Sequence, residues 1–471
     1  MLSRFTVGNF LSFNKPQGFS MIAGSVQNHK ERLYAADDMK LLKFSALYGA
    51  NAAGKSNLVK AMAYARSVVI HGTSEVPNTP FHKLDPRCQE LPSYFEFEIC
   101  IEGKLYSYGF EMIIADREIT EEWLVLLGKS KNQEVFSRNT VTGQYVYDAS
   151  LLANAEDVTH FEIYIKDLKS VKNKLFLQDI VTNKEAIYEA NKNLGILKQI
   201  HQWIQGLDIS FPDTLVSGYS CFSSTTTDEI LSAVKTFATG ISHVEARKVS
   251  KEKVLEDAPA GFRKQVEKAL ASLDTENGLL DEGNPKSSGL RVSCDGKLYL
   301  VKMVNKEPEF REITFEHNKL EKVVFSMDEE SDGTQRLFDM LTVLLCTKDH
   351  TVFVIDEIDR SLHPQMTVHF IKNFLEIAKK KDIQLIITTH ESHLMDLSIL
   401  RQDEIWFVEK NKSGASLLIP FDRFKERFDK KIQKAYLDGR YGGVPLFDSF
   451  FFPQGYEIDE PDEDGGIHCE A

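Results

Sequence analysis

Gly49-Ala50-Asn51-Ala52-Ala53-Gly54-Lys55-Ser56 satisfies the pattern G-x-x-x-x-G-K-[ST] at every position. Each residue type has a task there. The glycines let backbone N–H groups approach an anion closely, and a helix starting at this point adds partial positive charge. Lys55 can reach the β- and γ-phosphates of a nucleotide, and the Ser56 hydroxyl can ligate Mg2+. The implied ligand is a nucleoside triphosphate. A second group complements the first: Thr351-Val352-Phe353-Val354-Ile355-Asp356-Glu357 is an apolar run ending in two carboxylates. Asp356, at the end of such a strand, can hold the Mg2+ shell. Glu357 beside it can polarise an attacking water as general base.

These residues need particular elements to position them. The apolar run Leu41-Leu42-Lys43-Phe44-Ser45-Ala46-Leu47-Tyr48 precedes the Gly-rich loop, and the helix-compatible run from Asn57 to Ala65 follows it. That is the strand–loop–helix context the motif requires. Lys55 and Asp356 stand much further apart than one βαβ crossover needs. The nucleotide-binding core is therefore split around a large insertion. Residues 1–70 read as paired strands, then the loop strand and its helix. From about 92 to 147 the pattern alternates, as in Tyr94-Phe95-Glu96-Phe97-Glu98-Ile99 and Leu105-Tyr106-Ser107-Tyr108-Gly109-Phe110. Such alternation, with Gly103 between the runs, predicts antiparallel hairpins and places the aromatic residues in a sheet core.

Residues from about 150 to 275 read as helix-rich, with Ala186–Ala190, Ile196–Ile204 and Phe262–Leu270 as segments. No a/d pattern is sustained over several heptads, which predicts a compact insertion and no long coiled-coil arm. Residues 275–289 read as a mobile loop. Strands resume at Leu290-Arg291-Val292-Ser293 and Leu298-Tyr299-Leu300-Val301. The stretch after Gly455 is acidic, without Lys or Arg, and reads as a disordered tail.

Four further features, in order and spacing, resemble the ABC-type ATPase heads shared by SMC, RecF and OLD-family proteins. Phe5-Thr6-Val7-Gly8-Asn9-Phe10-Leu11-Ser12-Phe13 is similar to the strand and turn that open those heads. Ser331-Asp332-Gly333-Thr334-Gln335 stands where they carry their signature motif. Asp359, in Ile358-Asp359-Arg360-Ser361-Leu362-His363-Pro364, matches the D-loop, and His390 ends the apolar strand Leu385-Ile386-Ile387-Thr388-Thr389 at the switch-histidine position. More narrowly, Glu330–Phe338 and Tyr436-Leu437-Asp438-Gly439-Arg440-Tyr441-Gly442-Gly443-Val444-Pro445 resemble bacterial ATPases of the RloA/AbiLi type found in phage-defence loci. The resemblance covers roughly residues 1–60, 90–185 and 315–450. The signature departs from the transporter-like Ser-Gly-Gly-Gln, and no glutamine, Gln178 included, is singled out for the Q-loop.

The resemblance implies an α/β fold: an ABC-type P-loop ATPase head split by a large insertion, with an antiparallel β-subdomain and a compact helical insertion. Its parts would be 1–150 (first half of the head), 151–289 (helical insertion), 290–450 (second half) and 451–471 (acidic tail). It implies ATP and Mg2+ as ligands and a homodimer, or higher oligomer, whose sites are shared between subunits. Gly49, Asn51, Gly54, Lys55, Ser56 and Asn57 would cradle the phosphates; Ser56 and Asp356 would position Mg2+. Glu357 and His390 would act on water and γ-phosphate, with Asp359 alongside. Ser331, Gly333 and Thr334 would cap the nucleotide of the opposing subunit. The implied output is control of a separate effector, such as a nuclease, in antiviral defence; direct action on DNA in repair or recombination is the alternative. OLD-family relatives append a nuclease, whereas the carboxylates Asp459, Glu460, Asp462, Glu463 and Asp464 come with no apolar strands to fix them at metal-binding geometry.

Composition narrows the class. The 471 residues, 42% hydrophobic and 27% charged, are ordinary for a soluble chain with a substantial core. No apolar run approaches the roughly 18 residues of a membrane span, and no signal-peptide core opens the chain, so a cytoplasmic protein is expected. Six cysteines without C-x-x-C pairs predict neither disulfide framework nor zinc site. A net charge of −14 disfavours autonomous DNA binding through bulk electrostatics. The basic run Arg423, Lys425, Arg427, Lys430, Lys431 and Lys434 could be a solvated helix face or a contact for nucleic acid or an acidic partner. His363 and His393 lack ligand-spaced companions for a metal.

Overall fold

Apolar runs without alternation build the sheet that carries the Gly-rich loop. Phe44–Tyr48, Val352–Ile355 and Gln384–Thr388 are buried at every position, as expected of parallel strands covered on both faces. In the computed structural model, which describes residues 1–37, 39–152, 155–169, 171–183, 194–212, 227–256, 289–294, 297–304, 307–317, 323–346, 348–424 and 436, these strands form a six-stranded sheet. Its order is Asp208–Ser210, Val352–Ile355, Gln384–Thr388, Phe44–Tyr48, Ile405–Lys410, Ser416–Pro420. All neighbours are parallel except the last pair. Ile355 pairs with Ile387, and Thr388 with Leu47, so the strands that lead to the loop, to the carboxylates and to His390 end along one edge.

Alternate residues of this sheet point to two cores. Val352, Val354, Ile386, Trp406 and Val408 share a cluster with Leu58, Val59 and Met62 of helix Lys55–His71. Phe353, Ile355, Leu385, Ile387 and Phe407 share the other with Leu337, Phe338 and Leu341 of helix Asp332–Leu345 and with Phe370 and Phe374 of helix Pro364–Ala378.

The alternating segments form the expected antiparallel sheet, seven strands in the order Gln144–Tyr147, Gln133–Asn139, Glu118–Leu127, Lys104–Ile113, Ser93–Ile101, Leu2–Gly8, Gln17–Ser20. Phe95, Phe97 and Ile99 are buried while Glu96 and Glu98 face outward. The buried Gln384 side chain stitches this sheet to the central one, donating to the carbonyls of Leu2 (2.9 Å) and Leu42 (2.8 Å) and accepting from the Leu2 N–H (2.6 Å).

A buried carboxylate takes part in docking the insertion on the β-subdomain. Glu122, fully buried, accepts from Arg138 Nε (2.9 Å), the Tyr108 hydroxyl (3.1 Å) and the backbone N–H groups of Phe176 (2.6 Å) and Leu177 (3.0 Å). Those two N–H groups open helix Phe176–Asn183, where a negative charge is favoured. Helices Ala155–Leu168, Gly195–Gln205, Thr227–Lys235 and Lys251–Glu256 also belong to the insertion. Two strands stand among these helices within 151–289. Asp208–Ser210 joins the central sheet beside Val352–Ile355, and His243–Val249 pairs with Glu307–Glu316 in a separate antiparallel sheet with Gly289–Cys294 and Lys297–Val304. The first of these strands is three residues long and exists through its pairing, so no periodicity could announce it. The segments expected at 186–190, 262–270, 275–288, 437–445 and 451–471, and the basic residues from Lys425 to Lys434, lie outside the described residues. No helix among the described residues is long and apolar enough to cross a membrane.

Candidate functional site

The Gly-rich loop leaves strand Phe44–Tyr48 where only glycine fits. A Cβ on Gly49 would lie 2.5 Å from the Val408 carbonyl oxygen. Gly54 has φ 117°, in the left-handed region, and a Cβ there would strike Ser416 Oγ and lie 2.7 Å from Ser12 Oγ. Both serines support the loop from outside it. Asn57 Nδ2 donates to Ser12 Oγ at 2.7 Å, and the Ser416 hydroxyl lies 2.7 Å from that of Ser12 and 2.5 Å from the Ala53 carbonyl. Asn9 explains the opening turn: its Nδ2 donates to the carbonyls of Cys88 and Leu91, each 2.8 Å away, and its Oδ1 accepts the His82 N–H. Helix Lys55–His71 starts from Gly54 with no side chain capping it. Its first N–H groups are thus left for an anion. Asn51 is exposed on the loop and Ser56 half-buried at the helix start.

Lys55 is buried beneath this cradle. Its ammonium donates to the carbonyls of Gly49 (2.7 Å) and Ala50 (3.3 Å) and meets His390 Nε2 at 2.9 Å. Burial lowers its pKa from 10.5 to about 8, against the opposing pull of Asp356, Glu357 and Asp359. The His390 imidazole is also pushed down, by burial first and then by Lys55. With Lys55 donating, Nε2 accepts and the neutral ring carries its proton on Nδ1. The His390 backbone N–H reaches both Asp359 carboxylate oxygens at 3.3 Å.

The carboxylate pair is held by a residue that sequence reading passed over. Thr388 Oγ1, fully buried, donates to Asp356 Oδ1 at 2.6 Å and accepts the Glu357 N–H at 2.8 Å. Asp356 N–H donates to the Ser210 carbonyl at 2.9 Å. Arg336, on helix Asp332–Leu345, donates through Nη2 to the carbonyls of Asp356 (3.3 Å) and Glu357 (3.4 Å). Glu357 has φ 48°, a conformation costing of order 1–3 kcal/mol and kept where surrounding bonds over-determine it.

Lys55, Asp356, Glu357, Asp359 and His390 therefore converge. Ser331, Gly333 and Thr334 do not join them: among the described residues no hydrogen bond links that turn to the Gly-rich loop. Ser331 caps helix Asp332–Leu345, accepting the Thr334 N–H at 3.2 Å, and its Oγ lies 3.0 Å from Thr334 Oγ1. A Cβ on Gly333 would lie 3.0 Å from the Ser361 carbonyl, so the turn packs on the D-loop segment and leaves Ser331 exposed.

Other candidates resolve into structure. Gln178 donates to the Ile70 carbonyl at 3.2 Å, at the far end of helix Lys55–His71 from the loop. His363 Nδ1 caps helix Pro364–Ala378, and His393 Nδ1 pairs with Glu391 at 2.5 Å. No group of three or more His, Cys, Asp or Glu able to hold a metal ion occurs among the described residues. Cys88, Cys100 and Cys346 are free thiols. Tyr436, within the C-terminal segment singled out in the sequence, is buried, stacks on Phe407 (5.8 Å, 20°), and accepts the Gly49 backbone N–H.

No curated protein matches the chain. Among solved structures it is similar to the SMC head domain from Thermotoga maritima, at 13% identity and a TM-score of 0.34, over 89% of this chain and 98% of that one. An SMC head bound to the C-terminal winged-helix domain of ScpA gives 14% and 0.38, over 89% and 97%. An SMC head with an extended coiled coil bound to the C-terminal domain of ScpA, from Pyrococcus furiosus, gives 13% and 0.36, over 89% and 95%. The family model described as "AAA domain, putative AbiEii toxin, Type IV TA system" matches residues 44–396, from the strand before the Gly-rich loop to beyond His390, and the chain belongs to that family of P-loop ATPases.

Proposed function

We propose that the chain binds and hydrolyses ATP as an ABC-type ATPase, that it works as a nucleotide-gated dimer, and that its state controls a separate effector in anti-phage defence. The observation that carries the reading is a division within the site. The Gly-rich loop, carboxylate pair and His390 meet in one chain, while the Ser331–Thr334 turn makes no hydrogen bond to that loop among the described residues and leaves Ser331 exposed to solvent.

The residues fit ATP with Mg2+. Gly49 and Gly54 let the loop backbone pack against Val408, Ser12 and Ser416 where a side chain would clash, and Ser56 with Asp356 offers the hard oxygen donors Mg2+ prefers. When bound, Mg2+ supplies positive charge against the phosphates. Thr388 occupies one Asp356 oxygen and leaves the other for the cation. Lys55 exchanges its bonds to the Gly49 and Ala50 carbonyls for phosphate oxygens. Glu357, its backbone held by Thr388 and Arg336, orients the attacking water. His390, released from Lys55, turns to the γ-phosphate, and Asp359 holds its backbone. Ser331, Gly333 and Thr334 cap the partner's nucleotide, so ATP acts as interfacial adhesive and hydrolysis separates the copies. The toxin–antitoxin term in the family's name and the RloA/AbiLi-like signature support the defence role.

Mixing inactive variants tests the reading. A Lys55→Ala protomer and a Gly333→Arg protomer, each inactive alone, should together recover about a quarter to a half of wild-type turnover, because one composite site in each mixed dimer keeps both intact halves. Glu357→Gln should retain nucleotide and accumulate the dimer. Absence of recovery in demonstrably mixed dimers would show that each protomer catalyses alone.

A further inference from the structure

Glu330 immediately precedes the signature turn, and its side chain is 4% exposed. A carboxylate so buried needs a partner. It has one in His317, whose Nε2 lies 2.6 Å from Glu330 Oε1. His317 follows strand Glu307–Glu316, which pairs with His243–Val249, Lys297–Val304 and Val324–Phe325 in the separate antiparallel sheet. The chain then returns as Val324–Phe325, pairing Phe325 with Phe315, and the Phe325 ring meets the His317 ring edge-on at 5.2 Å. Ser326 and Glu329 close a short capped turn, and Gln335 Nε2 donates to the Glu330 carbonyl at 2.9 Å. Phe315 also packs edge-on against Phe338 of the signature helix at 4.8 Å. The turn is thus held to this antiparallel sheet by the His317–Glu330 contact and by apolar packing that includes Phe315 on Phe338, and the polar contact adjoins Ser331.

We propose that His317 is a positioning residue for the nucleotide cap. Its bond to Glu330 latches the Ser331–Thr334 turn to the antiparallel sheet of strand Glu307–Glu316, so that a partner bending that sheet moves the surface presented to the opposing protomer's ATP. This rests on the shared-site reading above. His317 touches neither nucleotide nor the cradle of its own chain, so removing it should leave triphosphate capture intact while weakening dimer closure and turnover.

The experiment compares wild type, His317→Ala, His317→Gln, Glu330→Ala and the double variant His317→Ala/Glu330→Ala. Single-protomer ATP affinity, steady-state kcat and KM, and ATP-dependent dimerisation in a Glu357→Gln background are read for each. The expected result for His317→Ala is ATP affinity within twofold of wild type, with dimer affinity and kcat each down about tenfold, the scale of a lost hydrogen bond to a charged group. His317→Gln, which keeps a donor, should recover most of the loss, and the double variant should be no worse than the poorer single one. Dimerisation and kcat within twofold of wild type in His317→Ala would overturn the latch. So would a parallel loss of ATP affinity and thermal stability, which would mark a merely structural contact. Failure of the Glu357→Gln parent to dimerise with ATP would overturn the shared site itself, and the latch with it.

Discussion

Lys55 is an ammonium that has exchanged water for two carbonyls and a neutral imidazole. Burial costs the charged form more than Asp356, Glu357 and Asp359 return, which is why its pKa falls to about 8. The sign of the consequence follows. Between about pH 8 and the ordinary lysine range the unfolded chain binds more protons than the folded one, so this group lets stability rise with pH across that window. A triphosphate reverses the local field and pulls the proton back. Nucleotide binding should therefore take up a proton above about pH 8, and affinity should weaken as pH rises further, by at most roughly tenfold per pH unit. Calorimetry in buffers of different ionisation heat, at about pH 8.5, measures this directly. Proton-neutral binding with a flat affinity would mean that Lys55 is fully charged in the empty site.

Strand register decides whether the carboxylates can work. Val352–Ile355 and Gln384–Thr388 run parallel with Ile355 opposite Ile387, so the next residue of each strand, Asp356 and Thr388, meet at the sheet edge. Both strands read from sequence as apolar runs, but their adjacency did not. Gln384–Thr388 lies between the loop strand and the carboxylate strand, an order that local pattern does not encode. Thr388→Val keeps the shape and removes the hydroxyl, leaving Asp356 Oδ1 and the Glu357 N–H without that partner. Turnover should fall about 10- to 100-fold, with stability lower by about 1–3 kcal/mol, the cost of stranding buried polar groups. Nucleotide affinity should change little, and Thr388→Ser should restore most of the rate. Steady-state kinetics with urea titration separates the two effects. Normal turnover in Thr388→Val would release Glu357 from dependence on this strand end.

At the scale of the molecule, residues remote in sequence are tied by buried charge. Arg401, 0% exposed, binds Asp403 through Nε (2.8 Å) and Nη2 (2.6 Å), and the second Asp403 oxygen also accepts the Gly24 N–H. Glu404 accepts the Arg401 N–H at 2.8 Å and meets Arg32 at 3.4 Å, while Arg32 donates to the Ile399 carbonyl. The network fastens the segment around Gly24 and Arg32 to the entry of strand Ile405–Lys410. Arg401→Ala leaves Asp403 buried and uncompensated, so it should destabilise folding by about 3–5 kcal/mol, read as a lower urea midpoint. A shift below about 1 kcal/mol would mean that water or another cation takes the guanidinium's place.

The candidate residues for phosphate capture and water activation were legible in the chain itself. Gly49, Gly54, Lys55 and Ser56 lie in one contiguous loop, and Asp356-Glu357 and His390 each end an apolar run, so residue type and local spacing carry the signal. Alternation likewise marked the antiparallel sheet, because one of its faces is buried. The supports were not legible. Ser416 beneath Gly54, Thr388 between Asp356 and Glu357, Arg336 on their carbonyls, and His317 on Glu330 are common polar residues whose meaning depends on what lies opposite. Sheet order and helix packing choose those partners, and the pairings span up to hundreds of residues of chain. The strand Asp208–Ser210 makes the same point for an element: three residues have no period, and pairing alone makes them a strand.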